Sequence, residues 1–285
     1  MPSVALITDG HHPELTPDDQ LLLPHLHAHG IDVRIAPWDS EIALRSDVDL
    51  CILRSCWDYH KRISEFSQWL QHLEDNHVRT LNPIPVVRWN LHKGYLKDLE
   101  RRGIPIVPTH VAVTGSVLED IMNSRGWDDV VIKPCISASG HRTHRVRAQD
   151  VGLYSEEFTT IAAESGALVQ PFVREIYSGE WSFVFINREF SHAVLKRPQQ
   201  GDYRSQESFG GISEQKTPSA NLIQEAANIL DAVTGDLLYA RVDMIPVNGR
   251  LVLGELELIE PALFFACCAE APALFAKTLA LMLSD

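Results

Sequence analysis

Apolar positions along this chain fall into short continuous runs and longer helical stripes. Val4–Thr8 and Leu50–Arg54 are each apolar up to their last residue, and Val33–Ala36 lies between them. Short apolar runs bounded by polar residues predict buried strands. Asp18 to Gly30 places Leu21, Leu22, Leu26 and His29 at helical spacing and stops at a glycine, which predicts one helix. Ile63 to His77 repeats the pattern, with Phe66, Trp69, Leu70 and Leu73 on one face. This β-α-β opening predicts a small parallel sheet, and Pro83 and Pro85 close the region.

Downstream the pattern changes. Asn90–Arg102 reads as a helix and Gly103–Pro108 as a turn with an extended segment. Val130–Lys133 is a short strand ending at Pro134, and Ile136–Gly140 is a loop of small residues. Leu168–Val173 and Trp181–Ile186 are strands, and Asn187-Arg188 turns the chain into Phe190–Lys196. Gln199–Gly211 is polar, contains three glycines and reads as a mobile loop. Leu222–Thr234 is a helix, Leu238–Val242 a strand and Ala271–Leu283 an apolar helix. Segments 109–129 and 141–167 receive no element on this reading. Two apolar-rich strands flank Asn248-Gly249, a strong hairpin signal.

That hairpin carries the main candidate chemistry. Side chains alternate along a strand, so Glu255 and Glu257 share one face, and Asp243 joins them if its strand faces the same way. Three converging carboxylates repel unless positive charge sits among them. Their hard oxygens suit Mg²⁺, which keeps phosphate and water as its other ligands. Alone, Glu-x-Glu reads as two solvated strand-edge acids; the rest of the chain changes that.

Composition narrows the classes. The 285 residues allow one large domain or two to three packed parts, and 45% hydrophobic content is ordinary for a globular protein. A net charge of −13 disfavours free nucleic acid and anionic membrane as partners. No stretch approaches a membrane span, and the start lacks the basic, apolar pattern of a signal peptide. The five cysteines show no zinc spacing, so reduced thiols in a cytoplasmic protein are expected. Cys56 lacks an evident histidine partner and is not expected to be a nucleophile. Neither a P-loop nor a G-x-G-x-x-G fingerprint is present, so any nucleotide site is built differently.

The order Asn90-Leu-His-Lys93, Val131-Ile-Lys133-Pro134, small-residue loop, Gln170-Pro-Phe-Val173, Arg241-x-Asp243, Glu255-x-Glu257 resembles that of ATP-grasp enzymes, with bacterial glutathione synthetase as the nearest likeness. The likeness covers residues 88 to 262. It implies an α/β fold: a pre-ATP-grasp substrate domain (1–87), then two ATP-grasp subdomains (88–170 and 171–285) with antiparallel sheets that clasp ATP. It also implies that Lys93 and Lys133 lie on ATP phosphates as point cations. Ser137, Ser139 and Gly140 form a lid whose backbone folds over the phosphates. Gln170, Phe172 and Val173 form the adenine hinge, and Glu180 lies near the ribose. Asp243, Glu255 and Glu257 hold two Mg²⁺ ions, with Mn²⁺ as a substitute.

Lys196-Arg-Pro-Gln-Gln-Gly-Asp-Tyr-Arg204 through Gly210-Gly211 looks like the family's glycine-flanked arginine loop at the substrate. Arg204 and Arg241 then stabilise charge during phosphoryl transfer, and Lys196 assists with phosphate or substrate. Glutathione synthetase has Glu-x-Asn where this chain has Glu255-Leu-Glu257, which alters the metal roles. In the front region, Arg54 and Ser55 end an apolar run, where α/β sheets bind ligands; they are expected to hold a substrate carboxylate. His11, His12 and Asp18 follow the first strand and are candidates to face the cleft.

The expected reaction is amide formation from a small carboxylate and an amine, with an amino acid or small peptide as substrate and ADP and phosphate as products. Arg54-Ser-Cys-Trp-Asp-Tyr59 together with Glu-x-Glu is similar to the ATP-grasp branch that includes the cyclising enzyme of D-cycloserine biosynthesis, which closes a ring on O-ureido-serine. A non-catalytic ATP-binding regulator is the third reading. Homo-oligomerisation is left open.

Overall fold

A computed structural model describes residues 2–40 and 48–284. The first layer is a three-stranded parallel sheet, β1 (Ser3–Thr8), β2 (Asp32–Pro37) and β3 (Leu50–Ser55), in the order β2-β1-β3. Alternation along the strands splits its two faces. Ala5, Ile7, Cys51 and Leu53 meet Phe66, Trp69, Leu70 and Leu73, so the predicted helical stripe is the one buried. Full burial of Phe66, Leu70 and Leu73 contributes about 1.5–3 kcal/mol each.

The helix expected over Asp18–Gly30 is two short ones, α1 (Pro17–Gln20) and α2 (Leu23–Ala28). Pro24 has no N–H to continue the first helix and instead starts the second. Thr16 caps α1 by accepting from the Asp19 N–H at 3.2 Å. Beyond α3 (Ile63–Asp75), Pro85 likewise begins a helix rather than ending the region.

The helix expected over Asn90–Arg102 is also broken, into α4 (Ile84–Leu91) and α5 (Tyr95–Arg101). His92 adopts an extended backbone, and the Lys93 N–H leaves the helix to donate to the Cys135 carbonyl at 2.7 Å. A Cβ on Gly94 would come within 2.6 Å of the His92 ring, which would have to shift to admit it.

A four-stranded sheet follows: β4 (His110–Ala112), β5 (Asp129–Pro134), β6 (His144–Arg147) and β7 (Ala167–Pro171), ordered β4-β7-β5-β6. Helices α6 (Leu118–Arg125) and α7 (Val151–Glu164) cover it. Both helices lie in segments left unassigned above.

The last sheet comprises β8 (Glu180–Ile186), β9 (Glu189–Arg197), β10 (Ile212–Gln215), β11 (Tyr239–Val247) and β12 (Arg250–Glu257). Its order is β10-β9-β8-β11-β12, and all its pairings are antiparallel. Helix α8 (Ala220–Asp231) packs on one face, beside residues of α4 and α5. Helix α9 (Ala271–Met282) returns to the front sheet, where Phe275 and Leu279 share a core with Val4, Leu6 and Ile52. The end of the chain therefore locks the front sheet to the last one. No helix among the described residues is long and apolar enough to cross a membrane.

Candidate active site

The β11–β12 hairpin turns at Asn248 and Gly249, whose φ values of 50° and 78° fit the type I′ turn that the dipeptide favours. Its register sets Asp243 opposite Glu255 and Arg241 opposite Glu257. Directly opposed residues project to the same face. All four side chains line a cavity of about 530 Å³ between the three layers.

Cations from three other elements enter the same cavity. Lys93, turned inward by the α4–α5 break, places its Nζ 3.1 Å from Glu255 Oε1 and 2.6 Å from the Ser137 carbonyl. Lys133, at the end of β5, lies 3.9 Å from Glu255 Oε2. Lys196 on β9 sits 2.9 Å from Glu180 and 3.3 Å from Asp243. Arg241 binds Asp243 through Nη2 at 2.9 Å and also Glu257, while Ser182 donates to Asp243 Oδ1.

These pairings separate the acids. Desolvation raises every carboxyl here, but Arg241 and Lys196 overcome it at Asp243, and Lys93 and Lys133 do so at Glu255; both stay below the usual range. Glu257 goes the other way, because burial and its two acidic neighbours outweigh Arg241. Among the described residues, no group of three acids, histidines or cysteines is arranged to hold a metal ion. The donor set still fits one: two opposed strands supply carboxylate oxygens to a cavity with room for phosphate and water to complete a Mg²⁺ shell.

Ser137, Ser139, Gly140 and Glu180 line the cavity. Gln170, Phe172 and Val173 do not. The Gln170 amide is engaged by Thr109 at 2.8 Å, and the Phe172 ring lies 3.6 Å beneath the Arg145 guanidinium. Val131, paired with Gln170 across the ladder, takes the position on the wall instead.

Three expectations need correction. Arg54 is only 1% exposed, and its guanidinium donates to Asp19 at 2.8 and 3.1 Å and to the Pro261 carbonyl at 2.9 Å. Ser55 is equally buried and donates to the other Asp19 oxygen at 2.6 Å. Neither reaches the cavity, because the charge of Asp19 draws both inward. Arg204 also turns away: Asp202 accepts from its Nε and Nη2, and its guanidinium stacks 3.6 Å over Phe209. It lines a second cavity of about 480 Å³ between the lid loop and the front layer. Gly210 and Gly211 line neither cavity. A Cβ on Gly211 would fall 2.2 Å from the Ser205 carbonyl, so close backbone approach explains that glycine.

Sequence reasoning missed other wall residues, chiefly Tyr59 and Glu260. Both line the cavity, and burial, with Glu257 beside it, pushes the Glu260 carboxyl up to about 8. A Glu-Pro step directly after the Glu-x-Glu strand was the available signal. Cys56 is fully buried, and burial pushes its thiol well up, so it is no nucleophile.

Residues 103–262, more than half of the chain, match the family described as prokaryotic glutathione synthetase, ATP-grasp domain. The chain belongs to the ATP-grasp family. Residues 4–82 match the N-terminal domain of D-cycloserine synthetase DcsG. The cycloserine biosynthesis protein DcsG of Streptomyces lavendulae is 28% identical over 97% of both chains. A glutathione synthetase of Parasynechococcus marenigrum is 30% identical over 59% of this chain and 54% of its own. The crystal structure of DcsG superposes with a TM-score of 0.88 at 25% identity, covering 99% of each chain. A D-alanine–D-alanine ligase from Bacillus anthracis complexed with ATP shares the fold, with a TM-score of 0.71 at 16% identity over 100% of this chain and 97% of its own. The protein is therefore an ATP-dependent ligase, and the reading as a non-catalytic ATP sensor gives way.

Lys133→Ala tests the expectation that Lys133 holds an ATP phosphate. Losing a charge-assisted bond to phosphate costs about 1.5–3 kcal/mol, so ATP affinity should fall by about tenfold or more. Calorimetry decides it, and unchanged affinity would make Lys133 a strand-end surface residue.

Proposed function

We propose that this ligase activates a small carboxylate substrate by phosphoryl transfer from ATP and couples the acyl phosphate to a nitrogen nucleophile. The products are an amide, ADP and phosphate. The observation that carries this reading is the meeting of Lys93, Lys133 and Lys196 with Asp243, Glu255 and Glu257 in one cavity. Phosphoryl transfer needs positioned cations more than covalent help from the protein. Lys93 and Lys133 hold the phosphates, with Ser137, Ser139 and Gly140 above them. Arg241 and Lys196 balance charge that grows on the transferred group and on the tetrahedral intermediate. Asp243, Glu255 and Glu257 would hold two Mg²⁺, or Mn²⁺ in its place. When bound, the metal supplies charge neutralisation at the phosphate oxygens. Residues 1–87 serve as the substrate domain, and 88–170 and 171–285 as the halves that clasp ATP. The substrate is an amino acid or small peptide, and the reaction takes place in the cytoplasm.

The DcsG-like front region supports a second reading, in which carboxylate and nitrogen belong to one molecule and the product is a ring. O-ureido-serine is the substrate to try. ADP release should be measured with O-ureido-serine, pooled amino acids and dipeptides, followed by mass spectrometry of the product. A ring product from O-ureido-serine selects cyclisation, and a condensation product selects intermolecular ligation. Tight ATP binding without ADP release from any of them would overturn both.

A further inference from the structure

The turn after β1 holds an Asp–His pair with no structural need for its imidazole. Asp9 is 1% exposed and accepts from the backbone N–H groups of His11 at 2.9 Å and His12 at 3.0 Å. Thr8 Oγ1 donates to the His12 carbonyl at 2.7 Å. These bonds fix the turn without the His12 ring. Yet the ring also reaches Asp9, with Nδ1 2.9 Å from Oδ1. A carboxylate can only accept, so Nδ1 carries the hydrogen, and in the neutral ring Nε2 then keeps a free lone pair. The ring packs edge-on against Trp57 at 5.1 Å and lines both cavities. It thus stands at the carboxyl end of the central strand of the front sheet, where α/β sheets bind ligands.

We infer that His12, oriented by Asp9, is the proton acceptor for the nitrogen nucleophile that attacks the activated carboxylate. The inference rests on the acyl-phosphate reading above. An amine or ureido nitrogen must lose a proton as it bonds to carbon. In the step, the nitrogen lone pair forms the C–N bond and the acyl C–O bond to phosphorus breaks. Phosphate leaves with that electron pair, and the nitrogen's proton passes to His12 Nε2. Asp9 is a positioning residue: it fixes the tautomer and stabilises the imidazolium, as the carboxylate does in other Asp–His pairs.

From the front layer, Asp9, His11, Asp58, His60 and Lys61 line the second cavity with His12. His141, Arg142 and Arg204 face it across the second cavity, and Glu260 shares the first. Of these groups, Asp9 is the one that hydrogen-bonds its ring.

The test uses the full chain with ATP, Mg²⁺ and O-ureido-serine, plus the amino-acid pool, with and without hydroxylamine. Hydroxylamine is a small amine already neutral at pH 7; it captures an acyl phosphate as a hydroxamate without help from a base. General-base loss costs typically 10²–10⁴-fold, so His12→Gln should lower product formation by about 10²-fold or more while hydroxamate stays within about twofold of native. Equal loss of product and hydroxamate, or loss of neither, overturns the inference. Hydroxamate from neither protein sinks it together with the acyl-phosphate reading, whereas hydroxamate from both with unchanged product formation sinks it alone. His12→Asn, with the same backbone bonds to Asp9, gives the same pattern if His12 acts as a base.

Discussion

Glu255→Gln is expected to lower kcat/KM by about three orders of magnitude, the scale on which a central electrostatic contributor in an active site acts. Glu255 is the acid that Lys93 and Lys133 share, from two different elements. A neutral amide leaves two ammonium groups unopposed in one cavity and removes one of three carboxylates suited to the cation. Both Lys93 and Lys133, proposed to hold the phosphates, then lose the anchor that aims them. The fold should survive, since the side chain lies on a cavity wall and not in a core. Steady-state kinetics across a Mg²⁺ titration, with a melting curve alongside, measures this. Near-normal turnover at ordinary Mg²⁺ would contradict the assignment of Glu255.

The largest stability effect is expected at Arg54. Arg54→Ala leaves the Asp19 carboxylate buried with only Ser55 as a side-chain partner and removes the bond to the Pro261 carbonyl. Breaking a buried pair from one side costs about 3–5 kcal/mol, and for a chain of this size the melting temperature should fall by roughly 10 °C. Loss of the stacking of Arg54 over Tyr239, at 4.9 Å, acts in the same direction. ATP affinity of the folded fraction should be unchanged. An unaltered melting temperature combined with a large rise in substrate KM would restore Arg54 to a substrate role.

Arg54 also shows where the sequence ran out. Its position at the carboxyl end of an apolar strand was correct, and strand ends do bind ligands in such sheets. What could not be read was Asp19, which lies thirty-odd residues earlier and captures the guanidinium only once α1 folds over the strand. Arg204 failed for a related reason: Asp202 lies two residues earlier, and its short-range grip was not weighed against the pull of the cleft. Glu255 and Glu257 were legible as one face because strand alternation fixes it, but the Asn-Gly turn alone would set Asp243 opposite Gly254; a register shift between Asp243 and Met244 brings Asp243 opposite Glu255. Lys93 was legible by motif but for an incomplete structural reason, since it reaches the cavity through a helix break and not from a helix face. The α7 helix passed unread, and it was outside the motifs that carried the family likeness. Tyr59 and Glu260 were missed as a pair, because they meet only when the front sheet docks on the end of β12.

The central claim is that the carboxylate oxygen of the substrate attacks the terminal phosphorus of ATP. The direct measurement is label transfer. O-ureido-serine, or whichever substrate supports ADP release, is prepared with heavy oxygen in its carboxylate and turned over with ATP and Mg²⁺, and the released phosphate is examined by phosphorus NMR. The acyl-phosphate route predicts one heavy oxygen in each phosphate formed, because the bridging oxygen leaves with phosphorus. Unlabelled phosphate alongside normal product would contradict it.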